Sequence, residues 1–241
     1  MTVKLTERDR KLLAKCALSR WLTTTQLARL YFPTASVNAV QKRLRKLADA
    51  GYLRTHREHP TAEIIHALGP KGKPLVEELG IAASLPGEVP KQVEHLIGIN
   101  EVRVAVETGG AGVRYFFAHW QLADLGWTAA VIPDAVFAFT GEGRENLVLE
   151  YDRGTEPLGV LVRKLEFYDA GIEGFPIAIA VLVTETGRRT DLLGDAMRDR
   201  ALRLKVLAAP LEEVSRAGTD AVYVNVATGT RVPLIIKEPS S

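Results

Sequence analysis

Apolar positions in the first eighty residues recur three times at helical spacing, and then the period changes. Leu12, Leu13, Cys16 and Ala17 define a helix over residues 6–18, opened by Thr6 three residues ahead of Asp9. Leu27, Ala28, Leu30 and Tyr31 define a short second helix, capped by Thr23 or Thr24 and stopped by Pro33. Val37, Val40, Leu44 and Leu47 define a third that runs to Gly51, and its other face carries Asn38, Gln41, Lys42, Arg45 and Lys46. Residues 52–57 and 63–68 then read as the two strands of a hairpin, closed by a helix over 70–79.

Residues 81–90 lack an apolar period and are rich in proline and glycine, which marks a linker between a first domain at 1–80 and a second at 91–230, with a tail at 231–241. In the second domain the pattern predicts a helix over 92–107 and strands over 113–118, 132–139 and 146–152. Gly141 and Gly143 supply the turn between the last two of these strands. A helix over 157–170, an apolar strand over 177–184, a helix over 190–207 and a strand over 221–227 complete the chain. That order argues an α/β (α+β) domain built on one mixed sheet. The Gly-Gly-Ala-Gly of residues 109–112 has neither the length nor the lysine of a phosphate-binding loop and reads as a turn.

Composition narrows the class. The chain has 241 residues, 46% of them apolar and 25% charged, as expected of a folded protein in water. Its longest apolar stretch, residues 175–183, is too short to span a membrane, and its charged start is unlike a secretory signal, so a cytoplasmic location is expected. The lone Cys16 excludes an internal disulfide and a cysteine-based zinc cluster, and reads as a small buried hydrophobe. Charge is more informative. Residues 1–73 carry 15 Lys and Arg against 5 Asp and Glu, and the remainder 16 against 24, so a basic front end precedes an acidic body. Such a front end suits a polyanion.

Three helices followed by a hairpin make a winged helix-turn-helix, whose recognition helix enters the major groove of duplex DNA while the wing meets the backbone. Asn38 and Gln41 offer two-point bonds to adenine edges and Arg45 to guanine, while Lys42, Arg43, Lys46, Arg54 and Arg57 are placed to hold phosphates. The alternative for these residues is a solubilised amphipathic helix, and a winged helix can also bind protein or RNA.

The second domain carries the sharper chemistry. Asp134 lies near the start of one predicted strand, and Glu150 and Asp152 stand two apart on the next, so both leave the sheet on one face and can meet Asp134 across the hairpin. Three such carboxylates repel unless a cation lies between them, and oxygen ligands of this kind suit Mg²⁺ or Mn²⁺. Lys164, on the following helix, is placed to reach the same spot. The alternative is a structural ion-pair cluster in which Glu150 and Asp152 pair with Arg153 or Lys164 and hold no metal. Tyr168 shares an apolar stripe with Leu161 and Leu165 and reads as core, His95 reads as a packed helix residue, and Phe117, Trp120 and Trp127 offer rings for base stacking although burial is their default.

Several of these segments resemble the replication-relaxation family: the Leu-Thr-Glu-Arg-Asp start, the Leu-Thr-Thr-Thr-Gln-Leu-Ala-Arg-Leu-Tyr-Phe-Pro segment, His95 with Asn100, the Ile-Pro-Asp-Ala around Asp134, the Glu-Tyr-Asp-Arg-Gly-Thr-Glu from Glu150, and Lys164 through Tyr168. The resemblance spans roughly residues 5–185 and implies a role in plasmid or mobile-element replication, relaxation or mobilisation, with duplex DNA and a second copy or a replication or mobilisation protein as partners. More distantly, the strand order and the Pro-Asp…Glu pattern resemble the restriction-endonuclease-like PD-(D/E)xK nucleases. That likeness implies a metal held by Asp134 and Glu150 and a Mg²⁺- or Mn²⁺-dependent nickase. Where the pattern wants a lysine two residues after the glutamate this chain has Asp152, so Lys164 would serve as a migrated lysine. The rival expectation is a non-enzymatic winged-helix regulator or adaptor whose degenerate nuclease-like domain serves dimerisation or partner binding.

Overall fold

The computed structural model describes residues 3–140, 145–198 and 200–234, so the turn assigned to Gly141 and Gly143 and the last seven residues of the tail lie outside the described residues. The chain is a mixed α+β protein that divides into two compact units, Met1–Asn100 and Glu101–Ser241.

In the first unit, α1 (Glu7–Ser19) starts where Thr6 and Asp9 cap each other: the Thr6 amide donates to Asp9 Oδ2 at 2.7 Å and the Asp9 amide to Thr6 Oγ1 at 3.2 Å. The two-residue β1 (Leu22–Thr23) leads into α2 (Thr24–Tyr31), closed at its start by the same device between Thr23 and Gln26. Next, α3 (Val37–Asp49) is capped by Ser36, followed by β2 (Leu53–His56), β3 (Ile65–Leu68) and the short α4 (Lys73–Glu77). The strands form an antiparallel sheet in the order β1-β3-β2, with Leu53 opposite Leu68 and Leu22 opposite His66. Leu12, Leu13, Leu27, Val40, Leu44, Leu47 and Leu68 close one apolar core, the interior that the helical spacing required. Three helices and a two-stranded wing are therefore present in winged-helix order.

The division between the units falls inside α5 (Val93–Thr108) rather than in the proline- and glycine-rich segment before it. The reason is polar. Gln26 donates through Nε2 to the Ile97 carbonyl at 3.0 Å, and Asn100 donates through Nδ2 to the carbonyls of Ser19 and Trp21 at 2.9 and 2.8 Å, which ties the first turns of α5 to the first unit.

The second unit continues with β4 (Val113–Ala118), α6 (His119–Leu122), β5 (Ala135–Phe139), β6 (Asn146–Asp152), α7 (Leu158–Ala170), β7 (Ile177–Thr184) and α8 (Gly187–Met197). It ends with β8 (Lys205–Pro210), α9 (Leu211–Ala217), β9 (Val222–Asn225) and β10 (Arg231–Pro233). One seven-stranded sheet runs β10-β9-β8-β7-β6-β5-β4, parallel across β6, β7 and β8 and antiparallel on either side. The helices α7 and α8 make the two crossovers that parallel neighbours need. Val148 of β6 packs with Leu161, Leu165 and Tyr168 of α7 in one core cluster, so that face of the sheet lies under α7.

Two sequence expectations are corrected. The helix expected over 190–207 ends at Met197, and residues 205–210 form the strand β8. Val206, Leu207, Ala208 and Ala209 are buried on both faces between β7 and β9, and a short apolar run of this kind has no period that separates strand from helix. The strand expected over 132–139 begins only at Ala135, leaving Ile132 exposed. Among the described residues no helix is long and apolar enough to cross a membrane.

Candidate functional site

Two places in the molecule, one in each unit, carry the residues singled out by sequence. In the first unit, Val40, Leu44 and Leu47 are buried, and the opposite face of α3 holds Asn38, Gln41, Lys42, Arg45 and Lys46, all exposed and without a side-chain hydrogen bond or ion pair among the described residues. Arg54 and Arg57 stand exposed on and just beyond β2, each giving one donor to a nearby carbonyl, Pro86 at 2.6 Å and Pro60 at 3.2 Å. A guanidinium has five donors, so most remain available to a ligand.

Arg43 behaves differently. Its Nε donates to Asp9 Oδ1 at 2.9 Å, one of its amino groups donates to Asp9 Oδ2, and the same group donates to the Lys4 carbonyl at 3.1 Å. Asp9 is fully buried, and although burial alone would raise its pKa, the hydrogen bonds from Arg43 and Thr6 hold it below its ordinary value. Arg43 therefore joins α3 to α1. Its spacing contained the signal: it lies three residues after Val40 and four before Leu47, at the edge of the apolar stripe.

In the second unit, Ala135 pairs with Leu149, so the antiparallel register sets Asp134 opposite Glu150 at the end of the ladder. Asp134 Oδ2 accepts the Tyr151 amide at 2.8 Å, which anchors the bend that precedes β5. Glu150 is buried to within 2% and accepts from Lys164 Nζ at 2.9 Å through one oxygen and from the Tyr168 hydroxyl through the other. Lys164 and Tyr168 lie four residues apart on α7, hence on one helix face. Burial pushes the Glu150 carboxyl up to about 7, and the charge of Asp134 adds to the shift. Lys164 and Tyr168 pull the other way without undoing it. Burial lowers the Lys164 pKa, but the charge and hydrogen bond of Glu150 with the charges of Asp134 and Glu156 together raise it by more, so the amine stays charged. The Tyr168 phenol is driven up, first by burial and then by Glu150, and its ring is packed in the core with Leu161 and Leu165.

Asp152 leaves the sheet on the same face but does not join this group. Arg189 binds it with two donors, Nε to Oδ2 at 2.5 Å and an amino group to Oδ1 at 3.3 Å, and the Gly154 amide donates to Oδ1 at 2.8 Å. Asp134, Glu150 and Lys164 are thus brought together, and Asp152 is held apart. Arg189 lies on α8, far along the chain, and no local pattern announces it; the Tyr168 hydroxyl was legible only through its spacing from Lys164. His95 is half-buried on α5, as is Trp120 on α6.

The donor set bears on a cation. Among the described residues no group of three or more His, Cys, Asp or Glu side chains is placed to hold a metal. Two opposed carboxylates do remain, and Mg²⁺ often takes one or two carboxylates and completes its shell with water and substrate phosphate. Asp134 and Glu150 are the pair that face each other, with Glu150 engaged by Lys164 and Tyr168, while Asp152 is paired with Arg189.

A family model described as replication-relaxation matches residues 13–175, a span that includes both the α3 face and the Asp134–Glu150–Lys164 group. Two solved structures are similar to parts of the chain. One is the adhesin competence repressor AdcR of Streptococcus pyogenes, 28% identical over 31% of this chain and 55% of that one, with a TM-score of 0.26. The other is a variant of ZitR from Lactococcus lactis, 25% identical over 32% of this chain and 52% of that one, again with a TM-score of 0.26. The chain spans about half the length of each. No curated protein matches the chain.

Proposed function

The chain belongs to the replication-relaxation family, and from that premise we propose that it is a cytoplasmic, sequence-selective duplex-DNA-binding protein of plasmid or mobile-element replication, relaxation or mobilisation. One observation carries the DNA reading. Five long polar side chains on α3 stand free on one face while the sixth, Arg43, is withdrawn to hold the helix in place. Asn38, Gln41 and Arg45 read base edges; Lys42, Lys46, Arg54 and Arg57 meet phosphates. Arg43 acts here as a positioning residue. A gel-shift titration in rising salt tests the assignment: Arg45→Ala with Lys46→Ala should weaken binding at least tenfold and flatten the dependence on salt. Unchanged affinity, or a negligible salt slope in the wild type, refutes it.

For the second unit we propose a metal-dependent nicking site. The support is the convergence of Asp134, Glu150 and Lys164, two carboxylates and an ammonium, a set suited to metal-assisted phosphodiester chemistry. Asp134 and Glu150 would hold Mg²⁺ or Mn²⁺, which when bound polarises a phosphodiester oxygen and lowers the pKa of a bound water. Lys164, charged at neutral pH, stabilises negative charge that develops on the phosphate. The opposite reading also has an observation in its favour: both Glu150 oxygens are already occupied by Lys164 and Tyr168, as in a closed structural cluster. On that reading the unit is an adaptor that binds a second copy or a replication or mobilisation protein. Incubation of supercoiled plasmid with Mg²⁺ or Mn²⁺ separates them. Nicking by the wild type that is lost in Glu150→Ala supports the enzyme; no nicking, with no metal affinity by calorimetry, supports the adaptor.

A further inference from the structure

A cleft of about 560 Å³ opens in the second unit beside β4, within the size range of pockets that take small ligands or parts of larger ones. Four aromatic rings stand in its wall, Tyr115, Phe117, Trp127 and Phe175, and each is only half-buried. Tyr115 and Phe117 lie nearly parallel, 13° apart with centroids at 5.2 Å, while Trp127 meets Phe175 edge-on at 5.3 Å. Polar ties outside the ring faces fix the orientation of Tyr115 and Trp127. The Tyr115 hydroxyl donates to Asn146 Oδ1, Asn146 Nδ2 donates to the Pro176 carbonyl at 2.8 Å, and Trp127 Nε1 donates to the Val131 carbonyl at 3.1 Å. Arg114, exposed at the cleft, lies over the Tyr115 ring at 5.0 Å. The rings pack against the core cluster on one side while part of their apolar surface stays in water at the cleft, where a flat ligand can meet it.

We propose that this cleft takes an unpaired base of a DNA strand, stacked against the aromatic wall, with the Arg114 guanidinium on the adjoining phosphate. Every base offers a π face, so rings of this kind bind strands with little regard to sequence. Sheet register relates the cleft to the carboxylates. Phe117 lies opposite Val136 and Val136 opposite Val148; one residue pair further on the same face come Asp134 and Glu150, a step of about 7 Å at the rise of a strand. A strand seated in the cleft is thereby brought toward the Asp134–Glu150–Lys164 group. The inference rests on the DNA reading given above and names a second contact, to single strands, in the other unit.

Fluorescence anisotropy of the full chain with three labelled probes tests it: a short oligothymidylate, the same strand made abasic so that only its phosphates remain, and a duplex. The abasic strand should bind roughly 5- to 100-fold more weakly than the thymidylate, the range that one to a few stacked bases provide. Phe175→Ala should erase most of that difference. Arg114→Ala, a change at an exposed side chain that leaves the fold intact, should weaken single-strand binding and lower its salt slope by about one, with duplex binding unaltered. Equal affinity for the two single strands overturns the proposal, as does an Arg114→Ala variant that binds them like the wild type. A free deoxynucleoside monophosphate that binds as tightly as the strand overturns it too, because the cleft then serves a small molecule. If duplex binding persists and depends on Arg45 and Lys46 while the abasic strand binds as well as the other, the cleft assignment alone has failed; if no probe binds, the DNA reading has failed with it.

Discussion

Each unit buries a carboxylate beside a cation, and the two are tuned in opposite directions. Asp9 in the first unit caps α1 and grips Arg43, and its pKa is lowered; Glu150 in the second grips Lys164, and its pKa is raised to about 7. Both are almost without solvent exposure, but Glu150 lies deeper, and burial is the largest cause of its raised pKa. What else is near adds to the difference. Asp9 receives donors from Thr6 and Arg43, whereas Glu150 faces the like charge of Asp134. A buried ion pair with all its bonds made reads as scaffold; one strained by a second carboxylate has a reason to accept a proton or a cation. The same contrast sorts Asp152, whose pairing with Arg189 places it with Asp9.

The sharpest way to break the comparison is to remove Asp9. Asp9→Ala removes the Asp9 half of the α1 capping box and leaves Arg43 part-buried without its anion, and should cost about 3–5 kcal/mol in urea unfolding. Glu150→Gln should cost far less, since it also removes the repulsion from Asp134; a loss as large as that of Asp9→Ala would place both in the scaffold.

The next largest effect is in pH. Glu150 has a folded pKa of about 7 against an ordinary 4.5, so between those values the folded chain keeps a proton that the unfolded chain releases. The stability linked to this group is complete below about 4.5 and is lost as the pH climbs through about 7, a change on the order of 3 kcal/mol. Asp9 runs the other way. Its contribution is present above its ordinary 3.8 and disappears as the pH falls through its lowered value. Thermal melts from pH 5 to 8 should therefore show the wild type losing stability relative to Glu150→Gln; parallel curves would mean that Glu150 is ionised throughout.

A smaller test is Tyr168→Phe. Loss of one buried hydrogen bond should cost about 1 kcal/mol, and the window over which Glu150 titrates should move to higher pH because a donor that favours its charged form is gone. Least of all, Arg45→Ala with Lys46→Ala should leave stability within about 0.5 kcal/mol of the wild type while impairing duplex binding, since neither side chain has an intramolecular partner among the described residues.

Local chemistry made much of the first unit readable. Its helices begin at Thr6, Thr23 and Ser36, residues whose side chains accept the amides they precede, and its apolar stripe at Val40, Leu44 and Leu47 leaves the polar face where the spacing requires. In the second unit β4, β6 and β7 begin and end where their apolar patterns do, and the opposition of Asp134 and Glu150 follows from one hairpin. What the sequence could not determine depends on contacts distant along the chain. The run 205–210 became a strand because β7 and β9 offered it hydrogen bonds on both edges, and the first turns of α5 went to the first unit because Gln26 and Asn100 bridge to backbone there. The partners of Asp9, Asp152 and Glu150 were chosen in the same way, by helices that folding brings against them. Spacing decides which face a side chain shares, but only the packed structure decides which charge it meets, because electrostatic energy depends on distance and on exclusion of water, neither of which is written along the chain.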